Sequence, residues 1–374
     1  MARRKTADII AECVEQLLDH AVKNISLPEE DVIYTRNLLL HRLQLDEPFP
    51  EPFKGYNFQE SLSRIIAYAV HKKIIEPDAE LLFETEILGM LTPPPSVITE
   101  RFDNIAADNG VAAACSWLFN LSKSNNYIRM PDISKNIKWT AENPRGNIQI
   151  TINTAKPEKD PKQVLAESKI QSSAYPKCAL CAENAGFAGN AKRAARQTLR
   201  TIPLSLADEQ WFMQFSPYLY YDQHIIVISK EHRPMELNLD SFMRLAEFVF
   251  NMPQYFLGAN APLPIVGGSI LSHDHYQGGG KVLPLFSAPS RKYYQPSRFP
   301  EVTVSVVNWY NSVVRLESRN VTQAVRAAGE LLYTWSSFDA PEVGILSSSR
   351  APDGSRVQHN TLNPVARMND RDIC

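Results

Sequence analysis

Apolar and polar residues follow two different periods along this chain, and the change of period divides it. Over residues 6–24, Ile9, Ile10, Cys13, Val14, Leu17, Leu18 and Val22 recur at helical spacing with polar residues between them, which predicts an amphipathic helix. Ser26-Leu-Pro breaks it. Pro28-Glu-Glu-Asp then supplies a proline and acids at the start of a second helix, which carries Val32, Ile33, Leu38, Leu39, Leu40 and Leu43. Residues 59–73, 78–91 and 97–122 keep the helical period, and Pro93-Pro-Pro stops the second of these. At Tyr127 the style changes. Asn147-Ile-Gln-Ile-Thr-Ile-Asn alternates residue by residue, the pattern of a half-buried strand. A charged, proline-broken loop begins at Ala155, and a short helix is predicted over 162–170. Strands are predicted over 200–204, 211–216 and 224–229, and a helix over 239–249. Beyond residue 300 come a strand over 302–307, a helix over 321–334 and strands over 343–347 and 356–365. Ala351-Pro-Asp-Gly-Ser is read as the hairpin turn between the last two. The chain is therefore expected to be α+β: a helical region at 1–126, then antiparallel sheet halves with packed helices at 127–290 and 291–374.

Composition adds exclusions. A chain of 374 residues can bury a sizeable core, and a formal net charge of -2 gives no basic surface for nucleic acid or for an anionic membrane. No apolar run is long enough to span a bilayer. The basic N-terminus leads into an amphipathic, acid-bearing segment rather than a signal-peptide core, so a cytoplasmic enzyme is the expectation. Five cysteines, an odd number, give no disulfide framework. Cys13 and Cys115 fall in apolar helical stretches and read as small buried hydrophobes. Cys374 carries no signal.

Only Cys178 and Cys181, spaced Cys-x-x-Cys, invite chemistry. They are open to reading as a redox pair, half a zinc site or coincidence, although no thioredoxin-like βαβ pattern surrounds them. Zinc needs four ligands, commonly two cysteines and two histidines. Of eight histidines, His20, His41 and His71 lie in the helical region without an evident role, and His224 opens an apolar strand as a structural residue. His232, in a loop after a strand, is available as a ligand. The richest stretch is Val266-Gly-Gly-Ser-Ile-Leu-Ser-His-Asp-His-Tyr-Gln-Gly-Gly-Gly-Lys281. On a strand, His273, His275 and Gln277 share one face. The glycines permit a close backbone approach that suits a bound phosphate. A neutral imidazole can attack phosphorus if its other nitrogen is fixed by a hydrogen bond, and Gln277 could donate to a phosphoryl oxygen without adding charge. On residues alone, His275 also remains open as a metal ligand beside His273.

His273-Asp-His275-Tyr-Gln277 resembles the His-x-His-x-Gln signature of the galactose-1-phosphate uridylyltransferases, a branch of the histidine-triad superfamily. The surroundings resemble the bacterial class II form. Matching stretches include Pro264–Gly278, Ile150-Thr-Ile-Asn, Lys156-Pro-Glu-Lys-Asp-Pro, Tyr175-Pro-Lys-Cys-Ala-Leu-Cys, Ser216-Pro-Tyr, Glu231-His-Arg-Pro-Met-Glu-Leu and His359-Asn-Thr. The resemblance implies histidine-triad-like sheet halves and a ping-pong exchange. A histidine takes UMP from UDP-glucose, releasing glucose 1-phosphate, and galactose 1-phosphate then accepts it as UDP-galactose. It implies His275 as nucleophile and Gln277 as phosphoryl ligand. It implies Asn260, Gly268, Ser269 and, from its place on a preceding strand, Arg200 as substrate contacts. Cys178, Cys181, His232 and His273 fall where class I enzymes hold a structural zinc; no organic cofactor is expected, and a homodimer is compatible. Two departures are noted: family tails run well past His359-Asn-Thr, which would leave the 291–374 half incomplete, and the glycine run lacks a histidine or arginine near Gly280. The rival outcomes are a nucleotide hydrolase or phosphorylase of the same superfamily and a catalytically impaired sugar-nucleotide binder.

Overall fold

The computed structural model describes residues 5–154, 175–190, 193–263, 270–280, 282–370 and 372–374. The chain divides into two units. One draws on Met1–Ser134 and Pro157–Ile202, the other on Lys135–Lys156 and Pro203–Cys374. The fold is α+β, as the two periods predict.

The first unit is built from helices α1 (Thr6–His20), α2 (Val32–Leu43), α3 (Phe58–His71), α4 (Glu80–Leu91), α5 (Pro95–Asn109), α6 (Val111–Ser124) and the short α7 (Met130–Ile133). The apolar stripe of α1 is its core face: Ile10, Cys13, Val14, Leu17 and Leu18 are buried. They pack with α3, whose Leu62, Ile65 and Ala69 point inward. The single helical stretch expected over 97–122 is two helices. Gly110, at φ +86°, lies in a region that side chains rarely adopt and turns the chain between α5 and α6. Asn125 is fully buried after α6, where its amide nitrogen donates to the Thr198 carbonyl at 2.9 Å and its oxygen accepts from the Tyr127 N–H at 3.0 Å. His20 is a satisfied structural histidine, stacked on Phe58 and bonded through Nε2 to the Ser124 carbonyl.

The second unit opens with a hairpin, β1 (Ile137–Ala141) and β2 (Ile148–Ile152). Its centre is a seven-stranded sheet that includes β3 (Ile202–Leu206), β4 (Glu209–Phe215), β5 (Ile225–Ser229), β6 (Phe256–Ala259) and β7 (His275–Gly279). β3 and β4 are joined through Ala207 and Asp208, both at positive φ, as a two-residue hairpin requires. β7 lies between β5 and β6, antiparallel to both. Helix α8 (Leu239–Asn251) starts with a reciprocal cap between Asn238 and Ser241 and buries Phe242, Leu245, Phe248 and Val249. A separate three-stranded sheet of β8 (Ser290–Tyr294), β9 (Thr303–Val307) and β10 (Val314–Glu317) precedes α9 (Val321–Ser336).

Near the C-terminus the expected strands shift. Val343 ends a 3-10 turn, and the ladder runs instead through β11 (Ser348–Arg350) and β12 (Arg356–Gln358). The long strand expected over 356–365 is interrupted, and its far end belongs to β13 (Val365–Asn369). This strand pairs with β6 and, with β14 (Asp372–Ile373), forms one edge of the seven-stranded sheet. The order is β14-β13-β6-β7-β5-β4-β3.

Candidate active site

Strand β7 presents two chemically different faces. Tyr276 stacks on Trp211 of β4, with ring centroids 5.0 Å apart and planes 12° from parallel. Its hydroxyl meets Arg244 of α8 at 3.2 Å. Alternation then places His275 and Gln277 together on the opposite face. Register adds a third residue there. Ile228 pairs with His275 and Ile226 with Gln277, so His224, two residues before Ile226, falls on the same face.

The hydrogen bonds on that face are directional. His275 is buried, and its Nδ1 lies 2.7 Å from the His273 carbonyl oxygen. A carbonyl only accepts, so Nδ1 carries the proton and Nε2 carries the lone pair. Burial holds the His275 pKa below the usual histidine value, against the raising pull of that bond. His224, also buried, sits with Nε2 3.2 Å from Gln277 Oε1. Burial pushes its pKa down to about 4. Burial thus favours the uncharged form of both imidazoles, and in His275 the tautomer is fixed with the lone pair on Nε2.

Beneath Tyr276 lies a charged cluster. Glu209, at the start of β4, accepts from both terminal nitrogens of Arg233 at 3.0 and 2.6 Å and from Arg244 at 3.1 Å. The hydrogen bonds from Arg233 are the main reason its carboxyl is held down to about 2. Asp274 approaches Arg233 at 3.5 Å, and burial pushes it up to about 6 despite both arginines. This cluster braces the strand from behind.

The glycine run works differently from a phosphate cradle. Gly278 and Gly279 are buried within β7 at ordinary strand φ. A Cβ on Gly278 would fall on the Phe256 carbonyl oxygen, and one on Gly279 would lie 2.6 Å from the Tyr221 ring and 3.0 Å from the Asp222 carbonyl. Their requirement is close packing of β7 against β6 and Tyr221.

Two pairs of soft or borderline donors complete the picture. Cys178 and Cys181 form no disulfide, their sulfurs lie 3.5 Å apart, and burial pushes Cys181 up to about 11. The rings of His232 and His273 lie 4.6 Å apart, and His273 Nε2 bonds to the Ser229 carbonyl at 2.8 Å. These four side chains form a group that could hold a metal ion.

The remaining candidates fare unevenly. Asn260 follows β6, one residue past the Ala259–Tyr276 pair, and is partly exposed. Gly268 and Ser269 lie outside the described residues, as do the 162–170 helix and the Lys156–Pro161 stretch. Arg200 is employed otherwise than expected. Its buried guanidinium donates to the carbonyls of Pro93, Thr92, Gln197 and Leu199 at 2.6–2.9 Å. With its donors committed to main chain, it has little left for a substrate.

The model for the N-terminal domain of galactose-1-phosphate uridyl transferases matches residues 26–234. A galactose-1-phosphate uridylyltransferase of Caldanaerobacter subterraneus is 39% identical over 95% of this chain and 69% of its own length. The chain belongs to the galactose-1-phosphate uridylyltransferase family. Family members from Fusobacterium nucleatum and Butyrivibrio fibrisolvens, which carry the same name, are 40% and 37% identical over 96% of this chain. The first is covered over 70% of its length and the second over 92%. No solved structure matches the chain. Among the described residues, no helix is long and apolar enough to cross a membrane.

His224 is the residue of this face that pattern reading set aside. Its position at the head of an apolar strand looks structural, and its partner Gln277 is 53 residues away. Only the β5–β7 register joins them.

Proposed function

We propose that this chain exchanges a uridylyl group between UDP-glucose and galactose 1-phosphate, with His275 carrying the group between the two half-reactions. The observation behind the role of His275 is the 2.7 Å bond from its Nδ1 to the His273 carbonyl. That bond fixes the tautomer whose Nε2 lone pair can attack the α-phosphorus. As the Nε2–P bond forms, the bond from phosphorus to the glucose 1-phosphate oxygen breaks, and glucose 1-phosphate departs with the electron pair. A phosphate oxygen of galactose 1-phosphate then attacks the same phosphorus. The N–P bond breaks, UDP-galactose leaves, and the lone pair returns to Nε2. No net proton is needed in either half. Gln277, on the same face, donates its amide N–H to a non-bridging oxygen, where charge gathers as the phosphoryl group transfers. Asn260 is assigned to the substrate side, Arg200 is left out, and the reaction is placed in the cytoplasm.

Cys178, Cys181, His232 and His273 are proposed as a structural zinc site. Two thiolates with two imidazoles is a common tetrahedral zinc set. The 3.5 Å sulfur separation is close to the edge of about 3.8 Å expected for Zn–S bonds of about 2.3 Å. His273 would bind through Nδ1, since its Nε2–H is held by the Ser229 carbonyl, an outer contact typical of metal-bound imidazole. Zinc bound there would fix the backbone entering β7 and would take no part in the transfer.

The test is isotope exchange. Labelled glucose 1-phosphate should enter UDP-glucose in the absence of galactose 1-phosphate, because a ping-pong enzyme runs its first half-reaction alone. Exchange that requires galactose 1-phosphate would contradict the covalent route. UMP release to water or phosphate at a comparable rate would favour hydrolysis or phosphorolysis.

A further inference from the structure

His224 lies on the same face as His275 and Gln277, and its Nε2 is bonded to the glutamine. We infer that His224 is a positioning residue: its Nε2–H holds the Gln277 amide with the oxygen turned inward and the NH2 turned toward the transferred phosphoryl group. This inference rests on the proposed roles of His275 and Gln277.

A glutamine side chain can be flipped end for end with almost no change in shape, and the two orientations have opposite chemistry. With Oε1 toward the substrate, a carbonyl lone pair would face the phosphoryl oxygens and repel them. With Nε2 toward the substrate instead, Gln277 offers two N–H bonds to those oxygens. What sets the orientation is the partner on the protein side. The contact runs from His224 Nε2 to Gln277 Oε1 at 3.2 Å, so the imidazole is the donor. The other ring nitrogen, Nδ1, is buried and has no hydrogen-bond partner among the described residues. In the observed arrangement that atom is a bare lone pair. In the flipped arrangement His224 would have to accept from Gln277, which moves its proton to Nδ1 and buries an unsatisfied N–H, the costlier of the two. The 1% exposure of His224 keeps water from relieving that cost. Tyr220 and Tyr221, with ring centroids 5.3 and 4.6 Å from the imidazole, hold it in place. Burial also keeps the ring neutral, which leaves no cation beside the phosphoryl group to trap a covalent intermediate.

A donor that is pre-aimed matters most where phosphoryl charge is greatest, in the transition state. Losing the aim should therefore lower kcat more than it raises KM.

The experiment is a double-mutant cycle on the full chain, with kcat and KM for UDP-glucose. His224→Leu, which cannot donate, is expected to lower kcat about tenfold, the effect of one hydrogen bond, with KM within about twofold. His224→Gln places an amide N–H near the former Nε2 and is expected to recover most of that loss. In a Gln277→Ala background, His224→Leu should have no further effect, because its target is gone. If His224→Leu fails to fold, His224→Asn replaces it, being polar but too short to reach Gln277. Equal losses in the two backgrounds, or a folded His224→Gln as impaired as His224→Leu, would overturn the positioning role alone. Absence of a uridylyl group on His275 in the unmodified protein would overturn the underlying site reading, and this inference with it.

Discussion

Replacing Glu209 with glutamine should destabilise the unit that carries β7, and the loss should depend on pH in a defined direction. The substitution keeps the shape of the side chain and removes its charge. In the native arrangement the carboxylate accepts from Arg233 at 3.0 and 2.6 Å, from Arg244 at 3.1 Å and from the Trp211 indole at 3.1 Å. Arg244 is only 6% exposed and cannot be rehydrated where it stands. Charge-assisted hydrogen bonds contribute about 1.5–3 kcal/mol each, but they are not additive on one acceptor. The carboxyl is held down from 4.5 to about 2, mainly by the Arg233 bonds. At about 1.4 kcal/mol per tenfold change in proton affinity this sets a ceiling of about 3 kcal/mol. Since 34% of the side chain is exposed, solvent screening lowers the expected figure to about 2 kcal/mol. A folded-state value below the unfolded one means that the stabilisation is fully present above pH 4.5. It is lost as pH falls from there toward about 2. Urea unfolding of both proteins at several pH values reads this directly. The midpoints should differ by about 1 M at pH 7, by roughly half of that or less at pH 3, and converge only toward pH 2. A difference that is constant from pH 7 to pH 3, or negligible throughout, would refute the reasoning.

Other outcomes follow from the same contacts. Gly278→Ala should destabilise by about 3 kcal/mol or more, because the added methyl meets backbone of β6 rather than a movable side chain; an unchanged urea midpoint would contradict the packing role. Asn125→Ala should cost about 2–3 kcal/mol in thermal or urea unfolding, since the Tyr127 N–H and the Thr198 carbonyl lose a buried partner together. Metal analysis of the purified protein should find about one zinc per chain, and Cys178→Ser should lower that content sharply; a metal-free native protein of full stability would remove the zinc proposal. Arg200→Lys should weaken the fold by about 2 kcal/mol and leave the KM for UDP-glucose unchanged, because the guanidinium serves carbonyls of its own unit.

Much of this was legible in the chain because it is local. The stripe of Ile10, Cys13, Val14, Leu17 and Leu18 needs only the helical period to announce a buried face. The alternation of His275 and Gln277 needs only the strand period, whereas His273, expected on the same strand face, lies in the bend that precedes β7. The break at Gly110 was missed because the apolar period runs through it and only its positive φ marks it. The glycines after Gln277 look like a phosphate cradle until β6 and Tyr221 are seen against them. Arg200 looks like an anion ligand until four carbonyls take its donors. The bracing of β7 by Glu209, Arg233 and Arg244, and the bond from His224 to Gln277, depend on strand pairing across long separations, which no local pattern carries.

The central claim is that His275 carries a uridylyl group, and intact-protein mass after mixing with UDP-glucose tests it most directly. The account predicts a gain equal to one uridylyl group, absent in His275→Gln and removed by galactose 1-phosphate. A folded protein that binds UDP-glucose without any mass gain, or one whose adduct persists in His275→Gln, would contradict it.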